Sequence, residues 1–194
     1  MEEWAKVIDV AKKHDLMLFE DRKFADIGRV TETQMAGMYD IRSWADLVTS
    51  HSVSGPDIVD GIASAWDSVQ RVGGVLLLAQ MSSRGNLLDA SYTDRTMEIG
   101  TSSPHVIGYI GNGSNPNEVS ELREKAGDGK MIWTPGVNLS DNEGALGQRY
   151  GHPSDAIKAG SDAVIVGSGI HGAPDPVASA RAYADATWAA LLSR

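Results

Sequence analysis

Short apolar runs rich in branched residues alternate along the chain with longer stretches whose apolar positions recur at helical spacing. The chain opens with Trp4, Val7, Ile8 and Ala11 on one face of a predicted helix over Trp4 to His14. Leu16 to Phe19 reads as a buried strand running into the charged cluster Glu20 to Lys23. Arg29 to Trp44 reads as a helix and Asp46 to Val53 as the next strand. Asp57 to Val69 is predicted helical, introduced by the turn signal Gly55-Pro56. Val75 to Met81 is the most apolar strand, followed by a helix over Tyr92 to Gly100. His105 to Gly111 and Met131 to Val137 read as strands, with a helix over Asn117 to Ala126 between them. A short helix over Pro153 to Gly160, a strand over Asp162 to Gly167 and a long helix over Pro176 to Leu192 complete the pattern.

Near-continuous apolar strands, each followed by a helix, indicate a parallel α/β sheet covered on both faces. Polar and Gly-rich residues gather just after the strands, at Asp21 to Asp26, His51 to Gly55, Ser82 to Asn86, Pro135-Gly136 and Gly167 to Gly169. In β/α barrels the active site lies at those strand ends. The expected fold is a TIM-type (β/α) barrel with about six of its eight β/α units, the first two strands lacking. Residues 1–194 are expected to form a single domain, with Gly111 to Pro116 and Ala173 to Pro176 as loops inside it. An open sheet leaves edge strands and apolar surface uncovered. Rearrangement, a dimer covering the gap, or an N-terminal fragment supplied separately would resolve that.

Composition narrows the partners. A formal net charge of -9 disfavours nucleic acid and anionic membranes, though a pocket can still be locally basic. Cysteine is absent, which removes disulfides and thiolate chemistry and fits a cytoplasmic location. No apolar run approaches the roughly 20 residues that span a bilayer. Met1 to Lys6 carries two acids and does not read as a signal peptide.

The strongest chemical signal is Phe19-Glu20-Asp21-Arg22-Lys23-Phe24-Ala25-Asp26-Ile27-Gly28. Lys23 lies between Asp21 and Asp26, an arrangement that favours the ammonium form and makes it a potential proton donor. Spacing alone equally allows a solvated charge cluster opening a helix. His51 is read first as a structural residue at a strand end, and His171 as either a site or a loop residue. His14, His105 and His152 have no metal-site spacing. Gly167-Ser168-Gly169 could offer backbone N–H groups to an anion. Trp66, Trp133 and Trp188 read as core or interface aromatics, and Met35 and Met38 as packing. Asp57, Asp60 and Asp67 read as the wet face of a helix.

The lysine segment resembles the catalytic strand of the orotidine 5'-phosphate decarboxylase family in its eukaryotic, particularly fungal, form. The resemblance extends in order through Ser43-Trp44-Ala45-Asp46, Met81-Ser82-Ser83-Arg84-Gly85, Trp133-Thr134-Pro135-Gly136-Val137, Leu146-Gly147-Gln148-Arg149-Tyr150 and Val166-Gly167-Ser168-Gly169-Ile170. It implies that Lys23 protonates the carbon left when carbon dioxide departs and that Asp21 lies near the departing carboxylate. It also implies a homodimer in which Asp26 reaches into the partner's site. Ser82 would bind a pyrimidine ring lined by Pro135, and Gln148 and Tyr150 would hold its phosphate. No metal or organic cofactor is implied.

Four departures qualify the resemblance. The family's earlier strands supply an aspartate and a lysine to the charged network, and they are not here. Gly28-Arg29-Val30 stands where the family has Gly-Asn-Thr, which removes a ribose contact. Ser168 stands where an arginine grips the phosphate, so a charge-assisted contact is lost unless Arg149 replaces it. Thr49, at a substrate-binding strand end, stands where the family has asparagine. The leading expectation is therefore a diverged lyase of the family, using Lys23, Asp21 and Asp26 on a substrate without the nucleotide phosphate. The alternatives are a genuine orotidine 5'-phosphate decarboxylase, its first strands missing or on another chain, and a non-catalytic binding paralogue.

Overall fold

The computed structural model describes residues 2–140 and 147–194, with only the backbone of Glu2 and Glu3. Met1 and Leu146, used in the sequence readings, lie outside the described residues. Six strands alternate with helices: α1 (Glu2–Lys13), β1 (Phe19–Phe24), α2 (Gly28–Met35), β2 (Leu47–Ser50), α3 (Asp57–Asp67), β3 (Gly74–Leu78), α4 (Ala90–Ser102), β4 (Val106–Ile110), α5 (Pro116–Ala126), β5 (Met131–Thr134), α6 (Pro153–Lys158), β6 (Ala163–Val164), α7 (Ser168–His171) and α8 (Pro176–Leu192). Hydrogen bonding orders the sheet β1-β2-β3-β4-β5-β6, and the β1/β2, β2/β3, β4/β5 and β5/β6 pairs are parallel. Among the described residues no helix is long and apolar enough to cross a membrane.

The chain forms two compact units, residues 1–78 with 98–107, and residues 79–97 with 108–194. In the first, every residue of β2 and β3 is buried, as strands covered on both faces require. Helices α2 and α3 approach so closely that a Cβ on Gly61 would lie 2.2 Å from the Gly28 carbonyl oxygen. Only glycine fits there, and the contact pins the chain just after Asp26. Trp66 is fully buried and donates its indole N–H to the Ala45 carbonyl at 3.0 Å.

In the second unit, helix starts follow the capping rules. Asn115 and Asp175 accept backbone N–H groups at the starts of α5 and α8, each followed by proline. His152 does the same for α6 through Nδ1, at 3.3 Å from the Ser154 nitrogen. Tyr109, Ile132, Val119 and Leu122 form its buried interior.

Two predicted elements are corrected. Leu16 to Phe19 is not the first strand: Leu16 is 62% exposed, and β1 is the charged segment itself. An edge strand buries little, so its sequence lacks the apolar signature of β2 and β3. The helix expected over Arg29 to Trp44 ends at Met35. Gly37 follows and Asp40 turns left-handed at φ 39°, its carboxylate binding Ser43 and Arg42. Met35 is consequently core, whereas Met38, beyond the helix, is 82% exposed. Trp188 is likewise exposed on α8 and not part of the core.

Candidate functional site

In the first unit the lysine segment forms a closed triangle of contacts. Lys23 Nζ donates to Asp21 Oδ2 at 2.6 Å, and the Thr49 hydroxyl donates to Asp21 Oδ1 at 2.8 Å. The Lys23 backbone N–H donates back to Thr49 Oγ1 at 2.9 Å. Lys23 and Asp21 side chains are 39% and 37% exposed, so the pair remains open to a ligand while contributing little to stability. Lys23 adopts φ +55°, the left-handed region that long side chains avoid. Such strain persists where surroundings enforce it, often at functional positions.

Asp26 does not complete the expected sandwich. Among the described residues it makes no ion pair with Lys23; its Oδ1 accepts the Ile27 N–H at 2.8 Å. The left-handed turn at Lys23 ends the strand alternation that spacing alone assumes, so Asp21 meets the ammonium and Asp26 does not. The Asp26 carbonyl is held by the Thr31 and Ser54 hydroxyls. Its exposed side chain borders a surface pocket of about 530 Å³ lined also by Lys23, Met38 and Tyr39. His51 is half-buried beside this segment, and its backbone N–H donates to the Phe24 carbonyl at 2.7 Å. Burial, then the Lys23 charge, holds its imidazole below the ordinary histidine value.

In the second unit Ser82, Gln148, Pro135 and Gly136 come together. Gln148 Nε2 donates to Ser82 Oγ at 3.0 Å and to the Arg149 carbonyl at 3.0 Å. Gly136 takes φ +76°, and a Cβ there would lie 2.6 Å from the Ser82 Cβ, so glycine is what lets the Pro135 turn close on Ser82. The Pro135 carbonyl is taken by the Gly113 N–H. Tyr150 is half-buried.

Gly167 and Ser168 follow β6 and start α7. Both are exposed, and the Ser168 carbonyl accepts the Gly172 N–H at 3.0 Å. A Cβ on Gly167 would lie 3.9 Å from His171 Nε2, which places that imidazole over the turn.

Two contacts escape sequence reasoning. Arg149, raised as a substitute for the missing arginine, donates its Nε to the Ser82 carbonyl at 2.9 Å and borders a cleft of about 280 Å³ with Asn86, Asp89 and Lys125. Thr49, expected to bind substrate, is fully buried with its hydroxyl on Asp21 and Lys23. For Arg149 the sequence signal is adjacency to Gln148; for Thr49 it is a strand-end position where the resemblance has asparagine, which does not point to the Asp21 and Lys23 contacts.

A family model described as Orotidine 5'-phosphate decarboxylase / HUMPS family matches residues 2–183. The orotidine 5'-phosphate decarboxylase of Pichia kudriavzevii is 41% identical over 190 residues, covering 96% of this chain and 70% of its own length. That of Magnusiomyces magnusii is 39% identical over 206 residues, covering 97% of this chain and 71% of its own. The crystal structure of orotidine 5'-phosphate decarboxylase from Pyrococcus horikoshii OT3 matches with a TM-score of 0.71 at 27% identity, over 93% of this chain and 78% of that one. The fold also matches that from Methanocaldococcus jannaschii complexed with inhibitor BMP, with a TM-score of 0.74 at 23% identity, over 94% and 79% of the two chains. The fold class is thus the TIM-type (β/α) barrel, with six β/α units among the described residues. The names of these relatives weigh for the genuine decarboxylase over the diverged lyase that the four departures favour.

Proposed function

Since the chain belongs to the orotidine 5'-phosphate decarboxylase / HUMPS family, we propose that it is a carbon–carbon lyase releasing carbon dioxide from orotidine 5'-phosphate. The Lys23–Asp21 pair, 2.6 Å apart on a backbone bent left-handed, carries this reading. The bond between the pyrimidine carbon and its carboxylate breaks, leaving the electron pair on the ring. The Lys23 ammonium gives its proton to that carbon, and uridine 5'-phosphate and carbon dioxide result. Asp21 holds the ammonium in place and disfavours the substrate carboxylate beside it, while fixed charge stabilises the developing carbanion. Ser82 and Gln148 bind the pyrimidine end, with Pro135 lining it. Gln148, Tyr150, Gly167 and Ser168 receive the phosphate. The exposed Asp26 serves a partner copy in a homodimer.

A second reading has one observation in its favour. Ser168 offers a hydroxyl where the resemblance expects a guanidinium, and Arg149 is anchored on Ser82. A substrate without the phosphate would not need that charge.

Loss of orotidine 5'-phosphate absorbance on incubation with the protein tests the first reading, with Lys23→Ala as control. Turnover that disappears in the variant supports it. No turnover, together with a thermal shift from uridine equal to that from uridine 5'-phosphate, favours the second.

A further inference from the structure

Strands β1 and β2 are in register at Glu20 opposite Val48 and again at Phe24 opposite Ser50. Between those points Asp21, Arg22 and Lys23 face the single residue Thr49. A bulge of this kind strips backbone groups of their ladder partners and re-aims side chains. Here the hydroxyl of Thr49 fills the gap. It accepts the Lys23 N–H at 2.9 Å in place of a backbone carbonyl, and donates its proton to Asp21 Oδ1 at 2.8 Å. The other carboxylate oxygen is thereby turned to Lys23 Nζ.

Thr49 suits this task. It is fully buried, so water does not compete for the hydroxyl. Its branched Cβ restricts the side chain to few rotamers. A single fixed oxygen then controls both ends of the lysine: the backbone, held at φ +55°, and the ammonium, held through Asp21. Neither contact alone would do so, because an ion pair this exposed is weak and readily re-formed in other geometries.

We propose that Thr49 is a positioning residue, acting through Lys23 and Asp21 by spanning the β1 bulge with its hydroxyl. The consequence for turnover rests on the decarboxylase reading above: Thr49→Val should lower kcat and leave KM nearly unchanged. The direct test needs no turnover, so the two can fail separately.

Acetylation of lysines by an N-hydroxysuccinimide ester, read by mass spectrometry with Lys12 of α1 as reference amine, reports how firmly Asp21 holds Lys23. Hydrogen exchange reports the bond from the Lys23 N–H. In Thr49→Val the relative labelling of Lys23 should rise roughly threefold to tenfold, the scale of one lost hydrogen bond, and its amide should lose protection. Thr49→Ser keeps the hydroxyl and should restore both. Should Thr49→Val not fold, Thr49→Ala gives the same reading. Unchanged Lys23 labelling and protection in a folded hydroxyl-free variant, or serine behaving as valine does, overturns the proposal.

Discussion

Arg149 directs its Nε at the carbonyl oxygen of Ser82, 2.9 Å away, and so ties the 147–149 segment to the loop after β3. The Arg84 N–H completes the tie on the Gly147 carbonyl at 3.1 Å, and Gln148 adds its bond to the Ser82 hydroxyl. That contact makes Arg149 a support for Ser82, and the expectation is that it keeps this role when ligand binds. Arg149→Met should weaken uridine and uridine 5'-phosphate binding alike, by roughly threefold to tenfold for one anchoring bond. Isothermal titration with both ligands separates the roles. A loss confined to the phosphorylated ligand would mean that the guanidinium meets the phosphate.

How much of this was legible beforehand differs between elements. β2, β3 and β4 announce themselves because buried strands must be apolar. β1 does not, because an edge strand buries little and its charged residues look like a loop. The candidate lysine was visible as a residue type between carboxylates. Its partner choice was not, because the left-handed turn at Lys23 and the bulge opposite Thr49 depend on pairing with a strand 26 residues away. Cross-strand register is a property of two segments and leaves no mark in either alone. Gly28 and Gly136 were visible as glycines, but the backbone and side chain they make room for lie at Asp57 and Ser82.

The strain at Lys23 has a measurable signature. Replacing it by glycine relieves the left-handed conformation, and replacing it by alanine does not; both remove the ammonium equally. Lys23→Gly should therefore be more stable than Lys23→Ala by about 1 kcal/mol. Urea denaturation of the two variants measures the difference. Any decarboxylation found in the wild type should fall by about two to four orders of magnitude in both, the usual worth of a positioned proton donor.

Asp162 gathers the C-terminal part of the second unit. Its carboxylate accepts from Arg123, from the Ile132 N–H at 2.8 Å and from Arg194 at 3.3 Å. Arg123 and Arg194 also donate to the Gly160 and Ser161 carbonyls. One carboxylate thus joins β5, the α6 end and the terminal arginine. Asp162→Ala leaves two guanidinium groups facing each other without the anion, and should cost about 2–3 kcal/mol, given that the group is half-buried and charged. Asp162→Asn keeps the acceptor and loses the charge, and should fall between. Thermal unfolding of the three proteins orders them; equal midpoints would mean that the network adds nothing.

His51 gives the first unit a dependence on pH whose sign follows from its surroundings. Burial first, and then the Lys23 ammonium, hold the folded imidazole below the ordinary value of 6.5. The unfolded chain therefore takes up a proton as pH falls through about 6.5, while the folded chain resists until lower pH. Over that window the unfolded state binds more protons, so stability declines on acidification and recovers as pH rises. His51→Gln has no proton to take up and should lose less stability between pH 7.5 and 5.5 than the wild type does. Lys23→Met removes the second cause and leaves burial, so it should fall between the two. Urea midpoints for the three proteins across that range give the comparison. A wild type and His51→Gln that decline in parallel would place the acid sensitivity elsewhere in the chain.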